Sequence, residues 1–210
     1  MSEAARRGTV EVRKATAADV PGMARALGRA FYDDPVMAWM MPEERRRRRL
    51  ELLGFVQWLK RIYMPKGEVY TDGALAGGAL WAPPGKWRMP IRLQARMGPM
   101  FIRLVGARRT PLILKGLAVL DKNHPDDQPH YYLGVLGTDP DHQGKGVGSA
   151  LMQPILERCD TEGLGAYLES SKESNVPFYR RHGFEVTGQV HMPDGPPLWP
   201  MWRDPQPRSG

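Results

Sequence analysis

The spacing of hydrophobic and polar positions changes several times along the chain, and each change predicts a new element. Residues 9–15 alternate between polar and apolar types, which predicts a first strand. Thr16 and Asp19 have the spacing of a capping box and open a helix predicted to run to about Phe31. The helix is broken by the sequence Asp-Asp-Pro at 33–35. The chain therefore begins with a strand followed by a helix.

The next segment predicts a second helix and a β-hairpin. Apolar residues recur at helical spacing from Pro42 to about Tyr63, and Pro is favourable in a first helical turn. Two strand-like runs, 68–71 and 74–81, flank Asp72-Gly73, which is a strong hairpin turn signal. Pro-Pro-Gly at 83–85 ends the second run. These elements predict the first edge of a sheet.

Helical spacing returns from Met89 to Asp121, with an interruption at 107–111. About 33 residues are too few to hold a separate core, so we interpret 89–121 as a helical insertion within a single domain spanning 1–210. A strand is predicted over 130–138 and a helix from Val147. The C-terminal part then predicts a short strand before 170, a helix from about 175 to 183, strands over 184–192 and 198–203, and a loose tail at 204–210.

Composition limits the classes of protein that this chain can belong to. Hydrophobic residues make up 41% and charged residues 25% of the 210, as in ordinary globular proteins. The single cysteine, Cys159, excludes an intrachain disulfide framework and a cysteine-based metal cluster, so no metal is expected. No apolar run reaches the ~20 residues of a membrane-spanning helix, and the N-terminus lacks the apolar core of a secretory signal. We therefore expect a soluble, cytoplasmic protein.

The formal net charge of +7 raises the question of a nucleic-acid partner. The densest basic run, Arg45–Arg49, follows Glu43 and Glu44 and has the pattern of a solvated helix face. No nucleic-acid-binding motif accompanies it. We expect no nucleic-acid partner, although a polyphosphate ligand would also be favoured by a positive field.

A glycine-rich loop follows the strand predicted over 130–138. It reads Asp-Pro-Asp-His-Gln-Gly-Lys-Gly-Val-Gly over 139–148, with glycines at alternate positions and a helix beginning near Val147. Such a loop exposes backbone N–H groups at the positive end of a helix, where a pyrophosphate can bind. The spacing matches neither the dinucleotide fingerprint nor the Walker A loop. It does match Gln-x-x-Gly-x-Gly, the acetyl-CoA signature of the GNAT superfamily, at Gln143, Gly146 and Gly148.

A second stretch, 166–184, carries a strand that ends in Leu-Glu and a helix with Phe-Tyr ahead of Gly-Phe. This resembles the second signature of the same superfamily. The resemblance implies a mixed α/β fold whose twisted central sheet splits between strands 4 and 5, with helices on both faces. It also implies acetyl-CoA as the cosubstrate, with contacts from Leu136, Gly137, Thr138, Gln143, Gly144, Lys145, Gly146, Val147, Gly148, Ser149 and Asn175.

Chemistry assigns the remaining roles. Acyl transfer from a thioester to an amine needs a neutral amine, a donor for the oxyanion and a proton for the thiolate. We expect Glu169 to be the base, directly or through water, and Tyr179 to protonate or stabilise the thiolate. A solvated strand-end carboxylate and a packing tyrosine are the alternatives, and His130 or His191 could replace Glu169 as the base. Cys159 lies in the helix after the glycine loop, which is a poor location for an acyl-enzyme nucleophile, so direct transfer is expected.

Within the superfamily, several segments resemble puromycin N-acetyltransferases; they are 140–146, 167–169, 175–179, 183–187 and 193–196. The likeness implies a small-molecule, antibiotic-like amine acceptor, with Asp33, Asp34 and Trp39 on the acceptor side. The alternatives are that the two aspartates only break or cap a helix and that Trp39 packs in an aromatic core. Only three residues separate Asn175 from Tyr179, so Asn175 either contacts CoA or only caps its helix. A protein or peptide amine acceptor, a non-catalytic acyl-CoA-binding module and a homodimer remain open.

Overall fold

The computed structural model describes residues 10–49 and 54–206. Eight strands lie in these residues, and their bounds are β1 (Val12–Lys14), β2 (Val69–Asp72), β3 (Gly77–Ala82), β4 (His130–Thr138), β5 (Gly165–Ser170), β6 (Glu185–Val186), β7 (Val190–His191) and β8 (Pro197–Arg203). The strands are hydrogen-bonded in the order β1-β2-β3-β4-β5-β8-β6, and β7 also pairs with β8. All neighbours are antiparallel except β4 and β5, which are parallel.

The helices occupy the connections between these strands. Their bounds are α1 (Val20–Ala30), α2 (Pro35–Met40), α3 (Glu44–Arg47), α4 (Val56–Trp58), α5 (Ile91–Val105), α6 (Thr110–Asn123), α7 (Val147–Glu162) and α8 (Val176–Arg180). A wide π-helical turn, Leu59–Tyr63, continues from α4. None of the helices in the described part of the chain is long and apolar enough to cross a membrane.

The sheet separates two groups of buried side chains, one on each face. On β3, Leu80 packs into the group that contains Met23 and Leu27 of α1, whereas Trp81 packs into the group that contains Leu151 of α7. Alternate residues of a strand point to opposite faces, which explains this division. The fold is therefore the mixed α/β fold with helices on both faces that the sequence predicts.

The sheet splits between β4 and β5. The two strands pair only at their starts, where residues 130–132 of β4 lie beside 165–167 of β5. Beyond these pairs β4 continues to Thr138 and β5 to Ser170 with no further pairing between them. The divergence opens a V-shaped gap in the sheet, as predicted for this position.

Most element predictions agree with the structure, and two need correction. The helix predicted over 42–63 is interrupted: α3 ends at Arg47, residues 50–53 lie outside the described residues, and the helix resumes with α4 and the π-helical turn. The strand predicted over 184–192 is two short pieces, β6 and β7. Thr9 and the tail residues 207–210 also lie outside the described part. The start of the tail is held in place, because the backbone N–H of Gln206 donates to Asp160 over 2.7 Å.

Candidate active site

A cleft of about 800 Å³ occupies the gap between the diverging strands. One wall is β4 and the glycine loop that follows it, and the other is the end of β5, the loop over 171–175 and α8. Phe31 and Asp34, at the corner between α1 and α2, lie at the same cleft. The two sequence signatures are thus brought together around one cavity.

The glycine loop has the backbone geometry of an anion-binding site. Gly144 and Gly146 have φ angles of +75° and +83°, and a Cβ atom at either position would meet no protein atom within 4 Å. Gly146 is the N-cap of α7, and the first residues of that helix line the cleft. The loop is closed on itself by Gln143, whose side-chain amide donates to the carbonyl of Thr138 over 3.1 Å. Open space in front of a helix N-terminus is where a pyrophosphate fits.

The other predicted loop residues divide into two groups. Val147, Gly148 and Ser149 line the cleft, and Ser149 shares a 2.9 Å hydrogen bond with His182. Lys145 is exposed and does not line the cleft; its ammonium group donates to the carbonyl of Asp141 over 2.8 Å. The side chain of Lys145 therefore stabilises the preceding turn, and any contact of this residue with the cosubstrate would come from its backbone.

The predicted strand positions Leu136, Gly137 and Thr138 line the cleft along β4. Strand alternation in the sequence does not reveal an irregularity that lies just before them. Leu80 and Trp81 of β3 pair with Val135 and Leu133, which leaves Gly134 as an extra residue in β4. Bulges of this kind redirect backbone groups and are common beside active sites.

Gly134 also has a specific neighbour. A Cβ atom built on it would lie 2.0 Å from the hydroxyl of Tyr63, so only glycine permits this close approach. Tyr63 comes from the π-helical turn, and burial, with the charge of Glu169 as a smaller cause, raises the pKa of its hydroxyl. Tyr63 thus lies behind the cleft wall at Gly134, a position that periodicity could not reveal.

Tyr179 lies on α8 and lines the cleft with 9% of its surface exposed. No described residue forms a hydrogen bond with its hydroxyl group, and its ring is held edge-on against Phe178 and Phe184. Burial, with the charge of Asp34 as a smaller cause, raises the pKa of the hydroxyl above its usual value. A neutral phenol that faces the cleft can donate a hydrogen bond to a ligand there.

Glu169 lies near the end of β5 and lines the cleft, with 7% of its side chain exposed. Its carboxylate is 3.8 Å from Nδ1 of His124, a buried residue that the sequence analysis did not single out. Burial and, secondarily, this carboxylate raise the pKa values of Tyr132 and Tyr167. Glu169 is therefore a largely buried carboxylate and not the solvated strand-end group considered as the alternative.

The three predicted acceptor-side residues differ in position. Asp34 is buried, lines the cleft and caps α2 by accepting hydrogen bonds from the N–H groups of Val36 and Met37. Asp33 is exposed and does not line the cleft. Trp39 lies outside the cleft lining: its ring is in the core, as in the core-packing alternative, and its indole N–H donates to the carbonyl of Pro193 over 3.2 Å.

The structure also shows where the other candidate residues lie relative to the cleft. Asn175 lines the cleft and precedes α8, but its side chain forms no capping hydrogen bond. His191 is exposed on β7, outside the cleft lining. Cys159 is fully buried in α7, and burial raises the pKa of its thiol to about 12. Among residues 10–49 and 54–206, no three His, Cys, Asp or Glu side chains are grouped so that they could hold a metal ion.

The fold and the cleft define an acyl-CoA-dependent transferase, and comparison with known proteins gives the family. The model of the acetyltransferase (GNAT) family matches residues 29–184, so the chain belongs to that family. An uncharacterised N-acetyltransferase of Schizosaccharomyces pombe is 29% identical over 210 residues, covering 94% of this chain and 84% of that protein. These findings identify the chain as an N-acetyltransferase that uses acetyl-CoA.

Two further proteins are similar to this chain. The L-methionine sulfoximine/L-methionine sulfone acetyltransferase of Pseudomonas aeruginosa is 37% identical over 67 residues, which is 30% of this chain and 38% of that enzyme. A solved structure from Corynebacterium glutamicum, described as histone acetyltransferase HPA2 and related acetyltransferase, has a TM-score of 0.72 and 26% identity; it covers 97% of this chain and 100% of that chain.

Proposed function

We propose that this enzyme transfers the acetyl group of acetyl-CoA directly to the primary amine of a small, antibiotic-like molecule. The observation that carries the proposal is the shared cleft: the glycine loop, Glu169 and Tyr179 all line one cavity between the diverging strands. A phosphate-binding end, a carboxylate and a neutral phenol in one cavity are the groups that acyl transfer to an amine requires.

Each group then has one role. The backbone of 143–149 binds the pyrophosphate of acetyl-CoA, and the β4 backbone at Leu136 donates to the oxygen that becomes negative as the amine attacks. Glu169 removes a proton from the acceptor ammonium, which frees the lone pair on nitrogen. Tyr179 donates a hydrogen bond to the departing sulfur. The raised pKa of Tyr179 makes full proton transfer to a thiolate near 8.5 costly, so stabilisation by hydrogen bonding is favoured.

Direct transfer is supported by the position of Cys159. A cysteine must ionise to become a nucleophile, and a thiol with its pKa raised to about 12 inside the core does not ionise near neutral pH. Acetyl-CoA and the amine are therefore expected to be bound together, without an acyl-enzyme.

The acceptor is proposed from likeness and charge. The relative from Pseudomonas aeruginosa acts, by its name, on small amino-acid analogues, and five segments of this chain resemble puromycin N-acetyltransferases. Asp34 and Glu169 place two carboxylates at the cleft, which suits a cationic amine. We infer that the segment 89–121 is an insertion; the helix α6, in which it ends, leads directly into His124.

A protein or peptide amine is the second candidate. It is favoured by the solved structure whose description includes a histone acetyltransferase. The formal net charge of +7 weighs against it, since a positive field repels a basic protein tail at long range.

The test is an assay for free CoA with two matched sets of acceptors. One set contains aminonucleosides, methionine sulfoximine and diamines; the other contains peptides with a free N-terminus or an internal lysine. We expect kcat/KM to be at least tenfold higher for a member of the first set. A higher value for every peptide would contradict the small-molecule proposal, and mass spectrometry that finds an acetylated Cys159 during turnover would contradict direct transfer.

A further inference from the structure

A buried cluster of polar aromatic side chains lies against Glu169 and takes no part in the mechanism described so far. His124 is at its centre: Trp87 stacks on its ring at 3.7 Å, and Tyr132 and Tyr167 meet it edge-on at 4.9 and 4.8 Å. Nδ1 of His124 is 3.8 Å from Oε1 of Glu169, and the two side chains are 2% and 7% exposed. The ring is held in place on several sides.

Hydrogen bonds determine which nitrogens of this cluster carry protons. Nδ1 of His130 is 2.7 Å from the carbonyl of Gln128, and since a carbonyl only accepts, His130 is protonated at Nδ1. Burial lowers the pKa of His130, so its Nε2 has a free lone pair at neutral pH. Nε2 of His124 is 3.0 Å from that atom and must therefore donate to it. A neutral His124 then has its lone pair on Nδ1, facing Glu169.

We infer that Glu169 and His124 act as a single base, in which His124 is the positioning residue that shares the proton taken up by Glu169. This inference rests on the proposed function of Glu169. With no proton between them, a carboxylate and a lone pair face each other. One added proton removes this repulsion, whether it stays on Oε1 of Glu169 or moves to Nδ1 of His124. The pair is thus arranged to accept one proton.

An N–H bond of the acceptor ammonium breaks, its electron pair stays on nitrogen, and the proton bonds to Glu169 and is shared with His124. After acetyl transfer, the second amine proton goes to the sulfur of CoA, and the shared proton leaves to water. A separation of 3.8 Å is longer than a hydrogen bond, and catalytic contacts of this type shorten when ligands bind.

Sharing the proton makes Glu169 a stronger base. The reason is geometric: two proton acceptors that face each other hold one proton more tightly than either would alone, because the proton removes the repulsion between the carboxylate and the imidazole lone pair. The other titratable groups facing the pair are Tyr63, Tyr132, Tyr167 and His130. Burial raises the pKa of each tyrosine, so all three stay neutral. The negative charge of Asp126 slightly raises the pKa of His130, and this carboxylate forms an ion pair with Arg88 over 2.6 Å.

The first experiment measures the protonation of His124 by NMR, without any turnover of substrate. The imidazole nitrogens of ¹⁵N-labelled protein are followed by NMR from pH 5 to 9 in the wild type and in Glu169→Gln, and His124→Gln assigns the His124 signals. If the two side chains share a proton, the signals of His124 should change with pH in the wild type and should change over a different, lower pH range in Glu169→Gln, where the carboxylate is missing. An unchanged titration of His124 in Glu169→Gln would overturn the inference.

The second experiment is the pH profile of kcat/KM. Glutamine at 124 can still donate to His130 but cannot take a proton, so His124→Gln should move the acidic limb at least one unit towards lower pH and reduce kcat/KM at pH 7 about tenfold or more. Affinity for acetyl-CoA should not change. The matched control is His191→Gln, on an exposed histidine, which should alter neither quantity. An acidic limb that stays in place in His124→Gln contradicts the inference.

The two proposals fail in different ways. If no amine supports CoA release, the acetyl-transfer role of this cleft is lost, but the NMR titration still reports whether the pair shares a proton. If CoA is released and the NMR titration of His124 is independent of Glu169, acetyl transfer stands and the shared base is refuted.

Discussion

The hydroxyl of Ser171 donates a hydrogen bond to the carboxylate of Asp34, and this contact joins the start of α2 to the loop that follows β5. The other carboxylate oxygen accepts from the N–H groups of Val36 and Met37 at 2.9 and 3.1 Å. Asp34 is thus a helix cap and a link across the end of the cleft, in addition to its proposed role in binding a cationic acceptor.

Asparagine at position 34 separates these roles. Asp34→Asn keeps an oxygen for the cap but removes the charge, so the free energy of unfolding should change by under ~1 kcal/mol. If the charge attracts the acceptor ammonium, the KM of the acceptor should rise about tenfold while that of acetyl-CoA is unchanged. Asp33→Asn, at the exposed neighbour, is the control and should change neither. Steady-state kinetics that show equal acceptor KM values for both variants would remove Asp34 from acceptor binding.

Gly146 and Gly163 lie at the two ends of α7 and provide a matched pair for the phosphate loop. Their φ angles are +83° and +67°, and a Cβ atom on either would meet no protein atom within 4 Å. Alanine at either position should therefore lower the free energy of unfolding by a similar ~1 kcal/mol, the cost of a left-handed backbone. Only Gly146→Ala should weaken acetyl-CoA binding, because only Gly146 lines the cleft.

Calorimetric titration with acetyl-CoA measures this difference directly. We expect at least a tenfold weaker Kd for Gly146→Ala and an unchanged Kd for Gly163→Ala. The thermal shift caused by acetyl-CoA should shrink in parallel, since a ligand at concentration L stabilises the folded state by RT ln(1 + L/Kd), which falls as Kd rises. Equal affinities in the two variants would show that the glycine loop does not bind the cosubstrate.

Arg203 of β8 forms an ion pair with Asp160 of α7. Two hydrogen bonds of 2.7 and 2.9 Å join the groups, and Arg203 is 6% exposed. Asp160→Asn leaves a buried guanidinium without its counter-charge, so the free energy of unfolding at pH 7 should fall by about 2–3 kcal/mol. Glu43→Gln, which breaks an exposed pair with Arg46, is the control and should cost less than ~1 kcal/mol.

The pH dependence of this effect has a definite sign. Arg203 holds the pKa of Asp160 below its usual value in the folded protein. The resulting stability is present above the pKa of the unfolded chain, near ~3.9, and is lost as the pH falls through the lower folded value. In urea unfolding, the difference between wild type and Asp160→Asn should be full at pH 7 and should shrink below pH ~4. A difference that grows on acidification would contradict this assignment.

Local signals in the sequence explain why the centre of the fold could be predicted. The bounds of β4 and the start of α7 agree with the prediction, because alternation, an Asp-Pro turn and glycines act on neighbouring residues. The break between α3 and α4 could not be predicted in this way. Apolar spacing continues through it, and spacing does not reveal the π-helical turn that brings Tyr63 to Gly134.

Side chains whose positions depend on distant contacts are hard to predict from the sequence for the same reason. From the sequence, Trp39 fits either the acceptor pocket or the core, and Gly116 and Gly195 approach its ring so closely that it packs in the core. His124 was not singled out, because its partners lie on β4 and β5 and nothing in its own neighbourhood marks it. Sequence signatures identify residues that contact a common cosubstrate, whereas residues that tune the acceptor side depend on tertiary packing.

Tyr179→Phe tests the chemical step most directly. The change deletes one hydroxyl that has no hydrogen-bond partner among the described residues, so packing against Phe178 and Phe184 and affinity for acetyl-CoA should be retained. If the hydroxyl stabilises the departing sulfur, kcat should fall by roughly 10²–10⁴. The loss should be in kcat and not in KM, since the interaction strengthens only as charge develops on sulfur.

The pH profile and a matched variant complete this test. Burial raises the pKa of Tyr179, so its hydroxyl stays protonated above pH 10 and the loss in Tyr179→Phe should be equal at pH 7 and pH 9. Tyr131→Phe is the control: its hydroxyl bonds to Glu162 and Arg158, outside the cleft, and kcat should be unchanged. The measurement is single-turnover release of CoA, in which product release does not limit the rate. An unchanged single-turnover rate in Tyr179→Phe would exclude the hydroxyl from the mechanism and leave Tyr179 as a packing residue of α8.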